Sequence, residues 1–410
     1  NQVVLGSSPS GSTFENQSPC SRAGVFLLHR TYLKDSKYFG SYLAAFEKRC
    51  LQNIGILIFL YFYSYFFFTM VNFQLNDPSI ESQWRALILF GRNSASYKFA
   101  FAKSLLELAD KETTRIRLQD LAVPFSKNLI AHLRHNDKQG NAKSSTFLNH
   151  CRDFLNNKIE YDMLLSYTEK LGFKNVVDAF QNLNGSSIPS PFYHKEYEGS
   201  KKEIVITDAL LSLKQNYHYQ NLSQEVDARW NLVETAWNLK INPNLLQVQY
   251  DNDNSLLYVE SNFMKRKDVT SVRDALSGYQ KGKCFYSYQD ISINSESDVV
   301  CDVDHFLPHI NKINHSQNGG NINGVWNLVL ADSVVNRQKG SKVPEKRFLE
   351  RLYNRNEFYI QSKHPLAETI INQTGATKEK RKSFLEMQYN IAIACSIQNW
   401  SPEVELIGTF

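Results

Sequence analysis

Four polar residues late in the chain have types and an order that could place a base beside a metal ion. Asp304 and His305 are adjacent, and Asn327 and Asn336 follow them nine positions apart. Carboxylate and amide oxygens suit a hard cation such as Mg²⁺, which also takes phosphate oxygens as ligands. An imidazole that does not bind the metal can deprotonate an attacking water. The set is therefore typical of phosphodiester hydrolysis.

The stretch 282–344 resembles the HNH endonuclease family, whose ββα-metal motif contains Asp-His, then Asn, then a terminal His or Asn at this spacing. The resemblance implies that Asp304 and Asn336 hold one Mg²⁺ or Mn²⁺ ion. It implies that His305 is the general base and that Asn327 braces the loop carrying this base. An Asp-His pair alone would predict nothing, so the interpretation depends on the whole pattern.

Basic residues follow the last Asn of this pattern. The resemblance places Arg337 and Lys339 near the scissile phosphate, where cationic donors stabilise developing negative charge. Two further basic clusters, at 265–267 and 378–382, fit phosphate contacts or solvated helix ends equally well. The sequence leaves both interpretations of these clusters open.

The zinc knuckle that many family members carry is incomplete in this sequence. The two positions for cysteine pairs lie at 284–287 and 332–335, and only Cys284 is a cysteine. Tetrahedral zinc needs four nitrogen or sulfur ligands, so we expect no structural zinc here. We expect the unit to be held by apolar packing of four residues: Phe285, Tyr286, Trp326 and Val335.

Apolar periodicity predicts a mainly helical protein with a small α+β insert. Residues 70–241 form a predicted helical module that binds substrate or a partner, with a loop at 182–191 marked by Asn, Gly, Ser and Pro. The helices expected in this module cover 81–110, 118–133, 147–155, 162–171, 204–213 and 225–239.

The pattern changes at residue 242, where a predicted nuclease domain begins. This domain covers 242–344 and contains the ββα-metal unit at 282–344. It is expected to contain a hairpin of 245–250 and 256–259, a helix at 269–276, and a strand at 299–303 that ends just before Asp304. A loop then leads to a short helix that begins at Asn327 and includes Asn336. Residues 345–410 form predicted C-terminal helices at 347–358, 364–372 and 378–395.

The first 69 residues differ in pattern from the rest of the chain. The apolar run 54–71 is just long enough to span a bilayer, but it is rich in Phe and Tyr. We interpret Met70 as the native start and 1–69 as a non-native upstream extension; the alternative is a membrane segment at 54–71. The six cysteines include no Cys-x-x-Cys pair, which favours reduced thiols and a cytoplasmic protein.

Composition and charge set the limits of the functional interpretation. The content of 13% aromatic residues excludes a wholly disordered chain, and the net charge of +5 permits a polyanionic partner. We therefore expect a metal-dependent DNA endonuclease, with no small-molecule cofactor and no membrane association. The resemblance implies restriction or antiphage defence in a prokaryote and a partner defence subunit. The alternatives are a ribonuclease and a non-catalytic nucleic-acid-binding or partner-binding protein that uses the unit as a scaffold.

Overall fold

The structure, a computed structural model, describes residues 77–410 apart from 110–112, 143, 184, 200, 217, 261–265 and 397. These residues all lie within one compact unit of the chain. The predicted start at Met70, the segment 1–69, the apolar run 54–71 and Lys265 lie outside the described residues. Within the part that the structure describes, no helix has the length and apolar character needed to cross a bilayer.

The first half of the described chain is a helical module. Its helices are α1 (Ile80–Phe90), α2 (Tyr97–Ala109), α3 (Leu118–Leu133), α4 (Thr146–Leu155), α5 (Tyr161–Tyr167, extended by a π-helical turn Thr168–Gly172), α6 (Val176–Ala179), α7 (Asp208–Lys214) and α8 (Tyr219–Asn238). Side chains of Ser79 and Ser145 accept hydrogen bonds from the first turns of α1 and α4.

The predicted helix 81–110 is two helices, separated at Gly91. A Cβ added at Gly91 would lie 2.5 Å from the Leu87 carbonyl oxygen, so only glycine allows the chain to turn there. The ammonium of Lys98 then donates to the carbonyl oxygens of Leu87, Ile88 and Gly91 at distances of 3.3, 3.3 and 2.8 Å. Lys98 therefore satisfies the free carbonyls at the end of α1.

Short strands interrupt the helical module. The strands β1 (Arg115–Arg117), β4 (Tyr193–Glu198) and β5 (Lys201–Ile206) form an antiparallel sheet, and β2 (Asn182–Leu183) pairs with β3 (Ser186–Ser187). The predicted helix 204–213 is wrong at its start, because 204–206 belong to β5 and the helix begins at Asp208. Ile204 and Ile206 are both buried in this strand, which is the period of two expected for a strand.

The second half combines small sheets with helices. A meander of β6 (Gln249–Asp251), β7 (Leu256–Glu260) and β8 (Arg266–Ser271) leads into α9 (Val272–Gln280). The predicted helix 269–276 thus begins only at Val272. There follow β9 (Cys301–His305), α10 (Lys312–Gln317), β10 (Leu328–Asp332), α11 (Ser333–Lys339), β11 (Val343–Pro344), α12 (Lys346–Gln361), α13 (Ala367–Thr374), α14 (Lys378–Ala394) and β12 (Asn399–Trp400).

Two hydrophobic cores stabilise the fold, and helix α8 contributes to both. Val226, Trp230 and Val233 pack in the first core, whereas Leu232 and Ala236 pack in the second. The predicted division at 241/242 therefore falls just after the helix that the two cores share. The predicted division at 344/345 does not separate cores, since α12 packs in the same core as β10. The protein is therefore mixed and rich in helix, with small sheets.

Candidate active site

The candidate site lies on two strands, β9 and β10, and on the helix α11 that follows them in the chain. Strand β9 pairs antiparallel with β10, so that His305 lies opposite Leu328 and Asp304 lies opposite Val329. The side chain of Asp332 then accepts hydrogen bonds from the backbone N–H groups of Val334 (2.8 Å) and Val335 (3.0 Å), which starts α11. This order brings the end of β9 beneath α11.

Asn327 lies in a different element from the one predicted. It ends a 3₁₀ turn (Val325–Asn327) directly before β10, and α11 begins only at Ser333. Its buried side chain accepts a hydrogen bond from the Leu307 N–H (2.9 Å) and donates to the carbonyl oxygens of Leu307 (3.1 Å) and Ile322 (2.9 Å). Asn327 therefore fixes the backbone at Leu307, two residues beyond His305.

His305 lies at the end of β9 with a defined tautomer. Its Nε2 is 3.0 Å from the Asn323 side-chain oxygen, which can only accept a hydrogen bond. Nε2 therefore carries the proton, and Nδ1 keeps its lone pair. Burial, together with the nearby His309 and Lys339, lowers the pKa of His305 to about 4, so that the ring is neutral at pH 7. Sequence reasoning missed Asn323, which is one of several Asn residues in this loop.

Asp304 is buried, and each of its two carboxylate oxygens accepts a hydrogen bond. Its Oδ2 accepts a hydrogen bond from the Tyr286 hydroxyl (2.6 Å), and its Oδ1 accepts one from the Lys339 ammonium (2.9 Å). Burial raises the pKa of Asp304, while Lys339 and Tyr286 oppose that rise. The ammonium also donates to the His305 carbonyl oxygen (2.8 Å). Tyr286 was expected only to pack, and its contribution to the site was missed.

The predicted substrate contact of Lys339 needs correction. Its side chain is only 1% exposed and forms an ion pair with Asp304, so it does not face solvent. Lys339 is therefore a buried counter-ion for the carboxylate. Arg337, two residues earlier, is exposed, and its side chain has no ion-pair partner among the described residues. Arg337 is thus available to an incoming phosphate.

Asn336 lies on α11 and contacts Asp302. Its side-chain N–H donates to Asp302 Oδ2 at 3.2 Å, and Asp302 shares one face of β9 with Asp304 because side chains alternate along a strand. The amide oxygen of Asn336 accepts no hydrogen bond from any residue that the structure describes. Carboxylate and amide oxygens are the donor types that Mg²⁺ or Mn²⁺ prefers. Both oxygens of Asp304 are hydrogen-bonded to Tyr286 and Lys339, so an ion bound by Asp304 would have to displace one of these partners.

The unit around this site packs as the sequence predicted. Phe285, Tyr286, Trp326 and Val335 are all buried in the second core, together with Cys284. Tyr286 makes edge contacts with the rings of Phe348 and Trp400. Among the described residues, no group of three or more His, Cys, Asp or Glu is placed to hold a metal ion. The oxygen site above has only two such residues, with an amide as its third donor.

Several cations of the two basic clusters form ion pairs or hydrogen bonds with other residues of the protein. Arg266 forms ion pairs with Asp251 (2.5 Å) and Asp268 (2.7 Å), and Lys267 donates to the Asn136 side chain (2.5 Å). In the second cluster Arg381 is buried against Glu357. The exposed cations that remain in the described part of these clusters are Lys378, Lys380 and Lys382, at the start of α14.

Comparisons of the chain with family models, curated proteins and solved structures found no match. Any functional conclusion therefore depends on the residues and geometry of the site itself.

Proposed function

We propose that the protein is a metal-dependent endonuclease of the HNH type that hydrolyses phosphodiester bonds in DNA. The observation that supports this proposal is the strand–strand–helix unit, in which β9 carries Asp302, Asp304 and a neutral His305, and α11 carries Asn336. A cytoplasmic role in restriction or antiphage defence, together with a partner subunit, is part of the proposal and is supported by the sequence resemblance alone.

In this mechanism each residue has a separate task. His305 takes a proton from the attacking water at Nδ1, since Asn323 keeps the proton of the ring on Nε2. Asn327 holds the chain that follows His305, and Arg337 binds a phosphate oxygen. Asp304 and Asn336, with Asp302 beside them, would hold one Mg²⁺ or Mn²⁺. When bound, this ion stabilises the negative charge that develops on the phosphate and the leaving oxygen.

The replacement His305→Ala tests the proposal most directly. We expect Mg²⁺-dependent nicking of a plasmid to fall by roughly 100-fold or more, because the general base is lost. The thermal unfolding temperature should change little, since the ring contributes one hydrogen bond. His194→Ala is the matched control, because His194 is exposed on β4 in the helical module.

Three results would contradict this proposal or part of it. Unchanged nicking by the His305→Ala protein would exclude His305 as the base. DNA binding with no Mg²⁺-dependent cleavage by the unaltered protein would favour a non-catalytic binding protein that uses the unit as a scaffold. Cleavage of RNA in preference to plasmid and single-stranded DNA would make the protein a ribonuclease with the same site chemistry.

A further inference from the structure

A cleft of about 720 Å³ is lined by residues of both halves of the described chain. Its walls include residues 89–94 around the end of α1, residues 242–244 after α8, and residues 358 and 361–363 around the end of α12. This volume is within the range of small-molecule sites, roughly 300–1,000 Å³. None of the residues that we have named for the nuclease site lines it.

The polar side chains that line this cleft are either positively charged or neutral. Arg92 and Lys363 are exposed at it, and neither side chain has an ion-pair partner among the described residues. Amide side chains, including Asn93, Asn244 and Gln361, supply much of the remaining polar surface. No Asp or Glu is present among the described residues that line the cleft. The lining therefore favours an anion.

Arg229 forms part of the same lining and adds a buried charge. It is 4% exposed, and its one hydrogen bond is the 2.7 Å contact from Nη2 to the Leu89 carbonyl oxygen. Its Nε and Nη1 have no partner within the part of the chain that the structure describes. Glu225, one turn earlier on α8, is already bound by Arg85 at 2.8 and 3.0 Å. Burying an unpaired guanidinium is strongly unfavourable, and no carboxylate among the described residues forms an ion pair with Arg229.

Two more basic groups, the half-buried Lys98 and the buried His364, lie in the field of Arg229. Lys98 donates only to carbonyl oxygens, and no carboxylate pairs with it or with His364 among the described residues. Burial and the charge of Arg229 lower the pKa of both groups, and burial lowers the pKa of Arg229 itself to about 9. Glu225 and Asp274 line the same small interior cavity as Arg229 and His364, but within the described chain neither carboxylate forms an ion pair with these two basic groups.

We propose that this cleft binds a nucleotide, that is, a phosphate-bearing small molecule with a planar base. The phosphate would lie between Arg92 and Lys363, above the buried charge of Arg229. The half-buried rings of Phe90 and Phe358, which meet edge to face at 5.2 Å, supply an apolar wall for the base. The amides that line the cleft match the hydrogen-bonding edges of a base.

The test is calorimetric titration of the full chain with ATP, GTP, adenosine and inorganic phosphate in buffer containing EDTA. EDTA removes divalent ions, so the nuclease site and the proposed function do not affect the result. We expect at least one nucleotide to bind tenfold or more tightly than phosphate or adenosine, because only a nucleotide contacts both the cations and the rings. Lys363→Gln should weaken that binding about tenfold, and Lys170→Gln, an exposed lysine outside the cleft, should not.

Arg229→Met separates a binding role from a structural one. Because Arg229 has no acidic partner, we expect the ligand-free variant to unfold at the same temperature or higher, and to lose the rise in that temperature that the nucleotide causes. Equal affinity for phosphate and nucleotides would overturn the nucleotide assignment. Binding of a DNA oligonucleotide alone, weakened by Lys363→Gln, would also overturn it and would make the cleft part of a nucleic-acid path.

Discussion

At the scale of single residues, Lys339 shows how a buried carboxylate is compensated within the fold. Asp302 and Asp304 place two carboxylates on one face of β9, and Asp304 is buried. A buried carboxylate without a partner would take up a proton, and it would then bind a cation poorly. The ammonium of Lys339 opposes the rise in the pKa of Asp304 that burial causes, and its second hydrogen bond fixes the backbone of His305.

Lys339→Met should destabilise the protein because it leaves Asp304 as an uncompensated buried charge. We expect the free energy of unfolding, measured with urea, to fall by about 3–5 kcal/mol. The double variant Asp304→Asn/Lys339→Met should recover much of that loss while remaining inactive. If the effects of the two single replacements simply add, the ion pair has no energetic coupling and the interpretation is wrong.

Asn323→Ala should reduce cleavage without unfolding the protein. Loss of the side-chain oxygen allows the His305 proton to move to Nδ1, where it blocks the base. We expect kcat to fall by roughly tenfold or more, with an unchanged unfolding temperature. Asn323→Asp keeps an acceptor at this position and should retain most of the activity at pH 8; equal losses in the two variants would argue against control of the tautomer.

The residues of the site could be predicted from the sequence only where their spacing carries information. Asp304, His305, Asn327 and Asn336 follow a recognisable order, and the structure places them on or beside one strand–strand–helix unit. Tyr286 could not be distinguished from a core aromatic residue, because its ring does pack in the core and only its hydroxyl reaches Asp304. Contacts of this kind depend on tertiary structure and leave no pattern in the sequence.

At the scale of elements, the helices were easier to predict than the short strands. The amphipathic helices α12 and α14 lie close to the predicted 347–358 and 378–395. By contrast, the second strand of the site, β10, was expected to be part of a helix that begins at Asn327. Residues 328–331 are apolar and all buried, and a continuous apolar run has no period that separates a strand from a helix.

Helix α9 contains an acid that opposes folding at neutral and alkaline pH. Burial, together with the charges of Glu225 and Asp227 on α8, raises the pKa of Asp274 from 3.8 to about 7. A raised pKa means that the folded state binds the proton more tightly, so stability is lost as the pH rises through 7. We therefore expect Asp274→Asn to raise the free energy of unfolding at pH 8 by roughly 2–4 kcal/mol.

Urea denaturation of both proteins between pH 4 and pH 8 checks this prediction. The advantage of Asp274→Asn should shrink steadily as the pH falls, because the native aspartic acid becomes protonated and resembles the amide. An advantage that is independent of pH would show that charge is not its cause. Asp253→Asn, in the exposed turn between β6 and β7, is a matched control with no expected effect.

At the scale of the whole molecule, α8 contributes side chains to both cores, and we expect the two cores to unfold together. Leu232→Ala removes apolar contacts from the second core only, at an expected cost of about 2–5 kcal/mol. Because α8 also carries Trp230 and Val233 of the first core, hydrogen exchange should quicken in peptides of both α2 and α12. Faster exchange in α12 alone would show that the cores unfold separately.

Because α8 packs in both cores, it also limits the positions at which part of this chain can be fused to another protein. A fragment that begins at residue 242 would leave behind Leu232 and Ala236, which complete the apolar surface of the second core. A fragment that begins at Tyr219 would keep them and would need a new partner for the face bearing Val226, Trp230 and Val233. Stable chimaeras that contain the second half of the described chain are therefore expected to have their junctions before α8, in the segment that follows α7.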